Sequence, residues 1–149
     1  MPVIPGWHPM IVHFPLALIV TAAFCLTLAR LPLARRYVPT LAIVGTWNLC
    51  LGAVAVLFSL GSGLAGVIGL QVGLAAHEAI TAHVKSALFT TVLVLLVAVW
   101  RGAGTAQDSR PSWVFVLLLW AATAALMVTG YRGGQNVYLY GIGVAHSSD

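Results

Sequence analysis

The sequence predicts an all-α fold, an integral membrane up-down four-helix bundle with both termini on the outer face and a short C-terminal cap. Three observations predict it. Of the 149 residues, 60% are hydrophobic and only 7% are charged, too little charge to wet the surface of a soluble domain of this size. The mean hydropathy is +1.00. Four apolar runs each reach the roughly 20 residues that a bilayer span requires, and the links between them are short enough to favour antiparallel neighbours. Residues 1–149 therefore read as a single transmembrane domain without repeats.

The first helix is expected at about residues 9–29, with His8 as N-cap and Pro9 at the first helical position, where its missing N–H does no harm. The second, at about residues 40–70, is longer than a span needs, so it is expected to tilt or to bend near Gly61–Gly63. The third is expected at about residues 80–100 and the fourth at about residues 113–130. Gly133–Gly134 then predict a sharp change of direction, and the tail 131–149 is expected to fold back over the outer mouth as a cap. Trp7, Trp100 and Trp113 sit near the predicted interfaces, as an aromatic belt does. Asn48, near mid-membrane, is expected to hydrogen-bond another helix. Cys25 and Cys50 lie in apolar runs with no CxxC pattern, which reads as structural thiols and argues against covalent haem attachment. The opening residues carry no Lys or Arg and no cleavage site follows the run, so the first helix is expected to stay.

Lys+Arg outnumber Asp+Glu by 7 to 3. In a membrane chain such an excess marks cytoplasmic loops and does not imply nucleic acid. Arg30, Arg35, Arg36, Arg101 and Arg110 fall after helices one and three, against Lys85 and Arg132 at the opposite face. The positive-inside rule then places both termini outside.

All five histidines fall at that outer face. His8 and His13 open helix one, His77 and His83 flank "HEAITAH" at the start of helix three, and His146 is in the tail. At ~100° per residue, His8 and His13 are about 140° apart around the axis, and His77 and His83 about 120° apart. Each helix is thus expected to aim one imidazole inward. The stripe below His13 (Ala17, Val20, Thr21, Phe24) and that below His83 (Ser86, Ala87, Thr90) hold small and weakly polar residues, so His13 and His83 are the expected inward pair. Helix two adds "GSGLAGVIG", whose Gly63 and Gly66 leave room for a flat ligand. Iron in a porphyrin takes axial imidazoles, and intramembrane histidines facing a bundle core point to function. Lys85 and Arg132 lie where haem propionates would emerge and pair with cations. The residues therefore predict one b-type haem held by His13 and His83, with His8 and His77 as outer hydrogen-bonding partners or alternative ligands. No catalytic set appears, so an electron carrier fits better than a stand-alone enzyme, although an oxidoreductase activity stays open.

The stretches "HPMIVHFPLAL" and "GYRGGQNVYLYGIGV" resemble the two signatures of a four-helix prokaryotic family, number 2231 among predicted membrane proteins of unknown function. His8, Pro9, His13, Phe14 and Pro15 match the opening signature. Gly133, Gly134, Val137, Tyr138, Gly141, Gly143 and Val144 match the closing one. The resemblance implies a prokaryotic plasma (inner) membrane protein. Some members are joined to Rieske-type iron–sulfur domains, which implies a redox partner such as a Rieske-type or cytochrome protein, or quinol. Two other readings of the same residues stay open at this point. One is an outer-face Cu, Zn or Fe ion bound or delivered by His8, His13, His77 and His83. The other is a structural accessory subunit of a membrane complex whose histidines cap helices.

Overall fold

The computed structural model describes residues 7–68, 70–104 and 110–143. A short α1 (His8–Ile11) leads into α2 (His13–Arg30), a 3-10 turn follows at Pro32–Tyr37, and α3 (Val38–Val67), α4 (Leu74–Ala103) and α5 (Trp113–Tyr140) complete the chain. The segment His8–Arg30 and the three later helices are each long and apolar enough to cross a membrane. No strand occurs among the described residues.

The buried positions recur every three and four residues. Pro15, Ile19, Ala22, Leu26 and Ala29 form the seam of α2, and Val38, Ala42, Gly45, Leu49, Gly52, Val56 and Ser59 that of α3. The same rhythm runs through Ile80, Thr90, Val94, Val97 and Arg101 on α4, and Phe115, Leu119, Ala122, Thr129 and Asn136 on α5. A period of 3.5 keeps one stripe of each helix on the bundle interior. Around the bundle α2 packs on α3, α3 on α4, α4 on α5 and α5 on α2, whereas the backbones of α2 and α4, and of α3 and α5, stay more than 8 Å apart. Thus α2 and α4 stand diagonally across the core.

Contacts that rise along α3 fall along α2. A Cβ added at Gly45 would lie 2.6 Å from Leu26 Cγ, and one at Gly52 would lie 2.7 Å from Ile19 Cγ1. These two glycines let the helices approach closely, which matters in a bilayer because lipid tails give no hydrophobic reward for helix association. The large apolar residues accordingly face outward, among them Phe24, Trp47, Phe58, Phe89 and Leu117. Hydroxyls join the spans inside: Thr90 Oγ1 and Thr129 Oγ1 are 2.9 Å apart, and Arg101 Nε donates to Thr46 Oγ1 at 3.0 Å. Trp120 Nε1 donates to Thr27 Oγ1 at 2.9 Å. Replacing Trp120 by phenylalanine is expected to cost about 0.5–1.5 kcal/mol, measured by detergent unfolding against wild type.

Several element ends differ from the sequence expectation. Trp7, not His8, is the N-cap, and no side chain caps the helix. The first span breaks at Val12, because Pro15 has no N–H to offer the Ile11 carbonyl. Helix α3 passes unbroken through Gly61 and Gly63 to Val67. Helix α4 starts at Leu74, which puts both His77 and His83 inside it. The expected turn at Gly133–Gly134 is absent, and α5 continues through both glycines to Tyr140. It ends at Gly141, whose φ of 63° is the left-handed conformation that glycine adopts freely. The cap expected over 131–149 is thus helix for its first ten residues, and 144–149, with His146, lie outside the described residues. Asn48 donates to Val44 O of its own helix at 2.9 Å instead of reaching another.

Candidate functional site

The seams of the four spans carry polar or absent side chains at one end of the bundle. On α4, His83 sits three residues after buried Ile80; on α1, His8 sits seven before buried Pro15. Both rings are half-buried. Each packs on a glycine of a flanking helix. A Cβ at Gly63 of α3 would lie 2.9 Å from His8 Cε1, and one at Gly133 of α5 would lie 3.1 Å from His83 Cε1. Histidines therefore occupy one diagonal of this layer and glycines the other. No Cα of α1 comes within 8 Å of one in α4, so the two rings face each other from separated backbones.

Each ring is held through Nδ1 by a protein oxygen. His83 Nδ1 is 3.1 Å from Thr129 O. A carbonyl only accepts, so Nδ1–H donates and the neutral ring keeps its lone pair on Nε2. His8 Nδ1 is 3.0 Å from Ser62 Oγ, and Ser62 Oγ itself donates to Ser59 O at 3.0 Å. With the serine proton on Ser59 O, His8 donates from Nδ1 and Nε2 holds the lone pair, the arrangement His83 shows. A ring fixed through Nδ1–H to a protein oxygen, with Nε2 left basic, is how proteins orient imidazole ligands of metals.

His13 is a correction. Its ring is exposed, and its Nδ1 turns back to Pro9 O at 2.6 Å. The stripe assigned below it is also wrong: Ala17, Thr21 and Phe24 are exposed and Val20 is only half-buried. The cause is phase. His13 precedes Pro15 by two residues, about 200° around the helix and so on the face away from the seam. His8, given an outer role by the sequence, is the inward partner. The stripe below His83 stands, with Thr90 buried and Ser86 and Ala87 half-buried.

The amino-acid sequence matches the family model DUF2231, described as a predicted membrane protein, over residues 5–146. The chain belongs to this family. No curated protein and no solved structure matches it.

In this DUF2231 chain, both stretches that carry the family likeness reach the site. The opening one supplies His8, and the closing one supplies Gly133, the seat of His83. The other expected site residues are dispersed. His77 and Lys85 are exposed, and nothing lies within 4 Å of a Cβ placed at Gly66. Gly63 is at the site, but as the seat of the His8 ring. Arg132 is exposed and donates from Nη1 to Ala82 O, the residue before His83, at 3.3 Å. Among the described residues, no three of His, Cys, Asp and Glu come together to hold a metal ion. The four-imidazole ion site of the alternative reading is therefore not assembled. Ser62, Thr129 and Gly133 were missed as supports of the rings; only the continuation of the seam from the buried positions points to them.

Proposed function

We propose that this DUF2231 protein is a membrane-embedded b-type cytochrome of an up-down bundle, binding one haem per chain between His8 and His83. This replaces His13 with His8 as partner of His83. The observation that carries the reading is the pair of half-buried imidazoles on diagonal spans, each held through Nδ1 against a protein oxygen and each lying over a glycine. Haem iron takes such nitrogens axially, and the glycine seats hold each ring in place. Two protein ligands leave no open iron position, which favours electron transfer to or from a redox partner over oxygen chemistry. Arg30, Arg35, Arg36 and Arg101 lie toward the opposite end, so the positive-inside rule puts the histidine end and both termini on the outer face of a plasma membrane.

A visible spectrum of the detergent-purified protein tests this. A sharp Soret band that moves on dithionite reduction is expected, abolished in His8→Ala and His83→Ala and retained in His13→Ala and His77→Ala. Loss in His13→Ala with retention in His8→Ala overturns the pairing. Copper, zinc or iron without the band replaces the haem by a bare ion. Neither band nor metal leaves an accessory subunit of a membrane complex.

A further inference from the structure

Beside the histidine pair, a pocket of about 160 Å³ lies between the first turns of α4 and the last turns of α5. Ala79 and Ala82 line it from α4, and Arg132, Gln135, Asn136 and Tyr140 line it from α5. No acid borders it, and every polar side chain there has an N–H or O–H to give. Arg132 uses one N–H on Ala82 O, and Gln135 Nε2 donates to Tyr131 Oη at 3.3 Å. The guanidinium thus keeps most of its five donors. Asn136 is only 7% exposed, yet among the described residues its carboxamide has no hydrogen-bond partner. Its amide is not sealed off but opens onto the pocket, where an entering acceptor can take its N–H.

We infer that this pocket binds a carboxylate group. The guanidinium fork matches a carboxylate's two oxygens, and the Asn136 amide supplies a further N–H. The volume is below the roughly 300–1,000 Å³ of sites that enclose whole drug-sized ligands, so it admits a carboxylate arm and not a porphyrin ring. Ala82, whose carbonyl accepts from Arg132, adjoins His83 in the chain. The carboxylate comes either from a propionate arm of a porphyrin gripped by the imidazoles or from a free small acid. Only the first source rests on the haem proposal.

The test compares reconstitution with haem b and with haem b dimethyl ester, which lacks free carboxylates. If a propionate enters, wild type binds haem b at least about tenfold more tightly than the diester, the worth of a single charged contact. Arg132→Gln and Asn136→Leu lose that preference but keep the Soret band, because the imidazoles remain. If a free acid enters, the two haems bind alike. Sodium propionate then raises the melting temperature of wild type above its value in sodium chloride at equal ionic strength, and Arg132→Gln abolishes the rise. No preference together with no propionate-dependent rise overturns the inference. If neither haem produces a spectrum, the haem proposal alone has failed, and the sodium propionate melt decides the pocket. Arg132→Lys keeps the charge without the fork, and its expected loss of preference excludes a general effect of charge.

Discussion

Gly52→Leu is expected to pry α2 from α3 and to lower unfolding stability by about 1–3 kcal/mol, the cost of overpacking a closely fitted interior. At 2.7 Å from Ile19 Cγ1, even a methyl group at this position has to displace its neighbour. Gly45→Leu meets Leu26 Cγ at 2.6 Å and Cys25 Cβ at 3.2 Å and is expected to cost as much. Both positions serve the same α2–α3 interface, so the double variant should fall short of additivity once the first substitution has parted the helices. Gly61→Leu is the control. Nothing lies within 4 Å of its added Cβ, and it should change stability by no more than about 0.5 kcal/mol. Unfolding in a graded mixture of mild and denaturing detergent, followed by tryptophan fluorescence, measures all four. A Gly61→Leu loss equal to that of Gly52→Leu would mean that helix propensity, not close approach, sets the cost.

The number of spans, their all-helical character and their approximate centres were legible because apolar length is counted directly from the residues. Which face of the first span looks inward was not legible from composition alone. Inside a bilayer both faces of a helix are apolar, so a polarity contrast does not mark the core as it does in water. The useful signal is residue size. Small residues at steps of seven run through Gly45, Gly52 and Ser59 on α3, and one further step of four reaches Gly63 at the site. Carried back along the first span from Ala29, Ala22 and Pro15, the same rhythm arrives at His8 and leaves His13 outside.

The helix ends were misread for a related reason. Gly133–Gly134 reads as a turn in a soluble chain, where glycine costs a helix about 1 kcal/mol relative to alanine. Here the missing side chain at Gly133 lets the His83 ring lie against α5, and the helix continues to Gly141. The polar ends of α4 and α5, with His77, Glu78 and Arg132, extend beyond the apolar runs that were counted. Hydropathy marks where a helix can be buried in lipid, not where its hydrogen bonds stop. That extension builds the carboxylate pocket, because Ala79 and Asn136 belong to turns the apolar count omits.

Gly63→Leu and Gly133→Leu are expected to disable the site while leaving most of the bundle standing. An added Cβ lies 2.9 Å from His8 Cε1 in the first case and 3.1 Å from His83 Cε1 in the second. The remaining leucine atoms fall in the space the ring occupies. His8 must leave Ser62 Oγ, and His83 must leave Thr129 O, so each imidazole loses the bond that fixes its proton on Nδ1. Loss of such supporting bonds weakens metal ligation by roughly 10–100-fold, and displacement of the ring itself should place both variants at or beyond the upper end. Ser62→Ala, which removes the bond and keeps the space, should fall at the lower end. Haem titration followed at the Soret band measures the series. A reagent that modifies imidazole reads the same displacement without any cofactor, since His8 should react several times faster in Gly63→Leu than in wild type. Both glycines lie near the end of the bundle, away from the Gly45–Gly52 contact, so unfolding stability should fall less than in Gly52→Leu. Gly66→Leu, one turn along α3 in open space, should leave haem affinity and His8 reactivity unchanged. An equal loss there would mean that any bulk at this end of α3 disturbs the bundle, and that the glycine seats are not what holds the two rings in register.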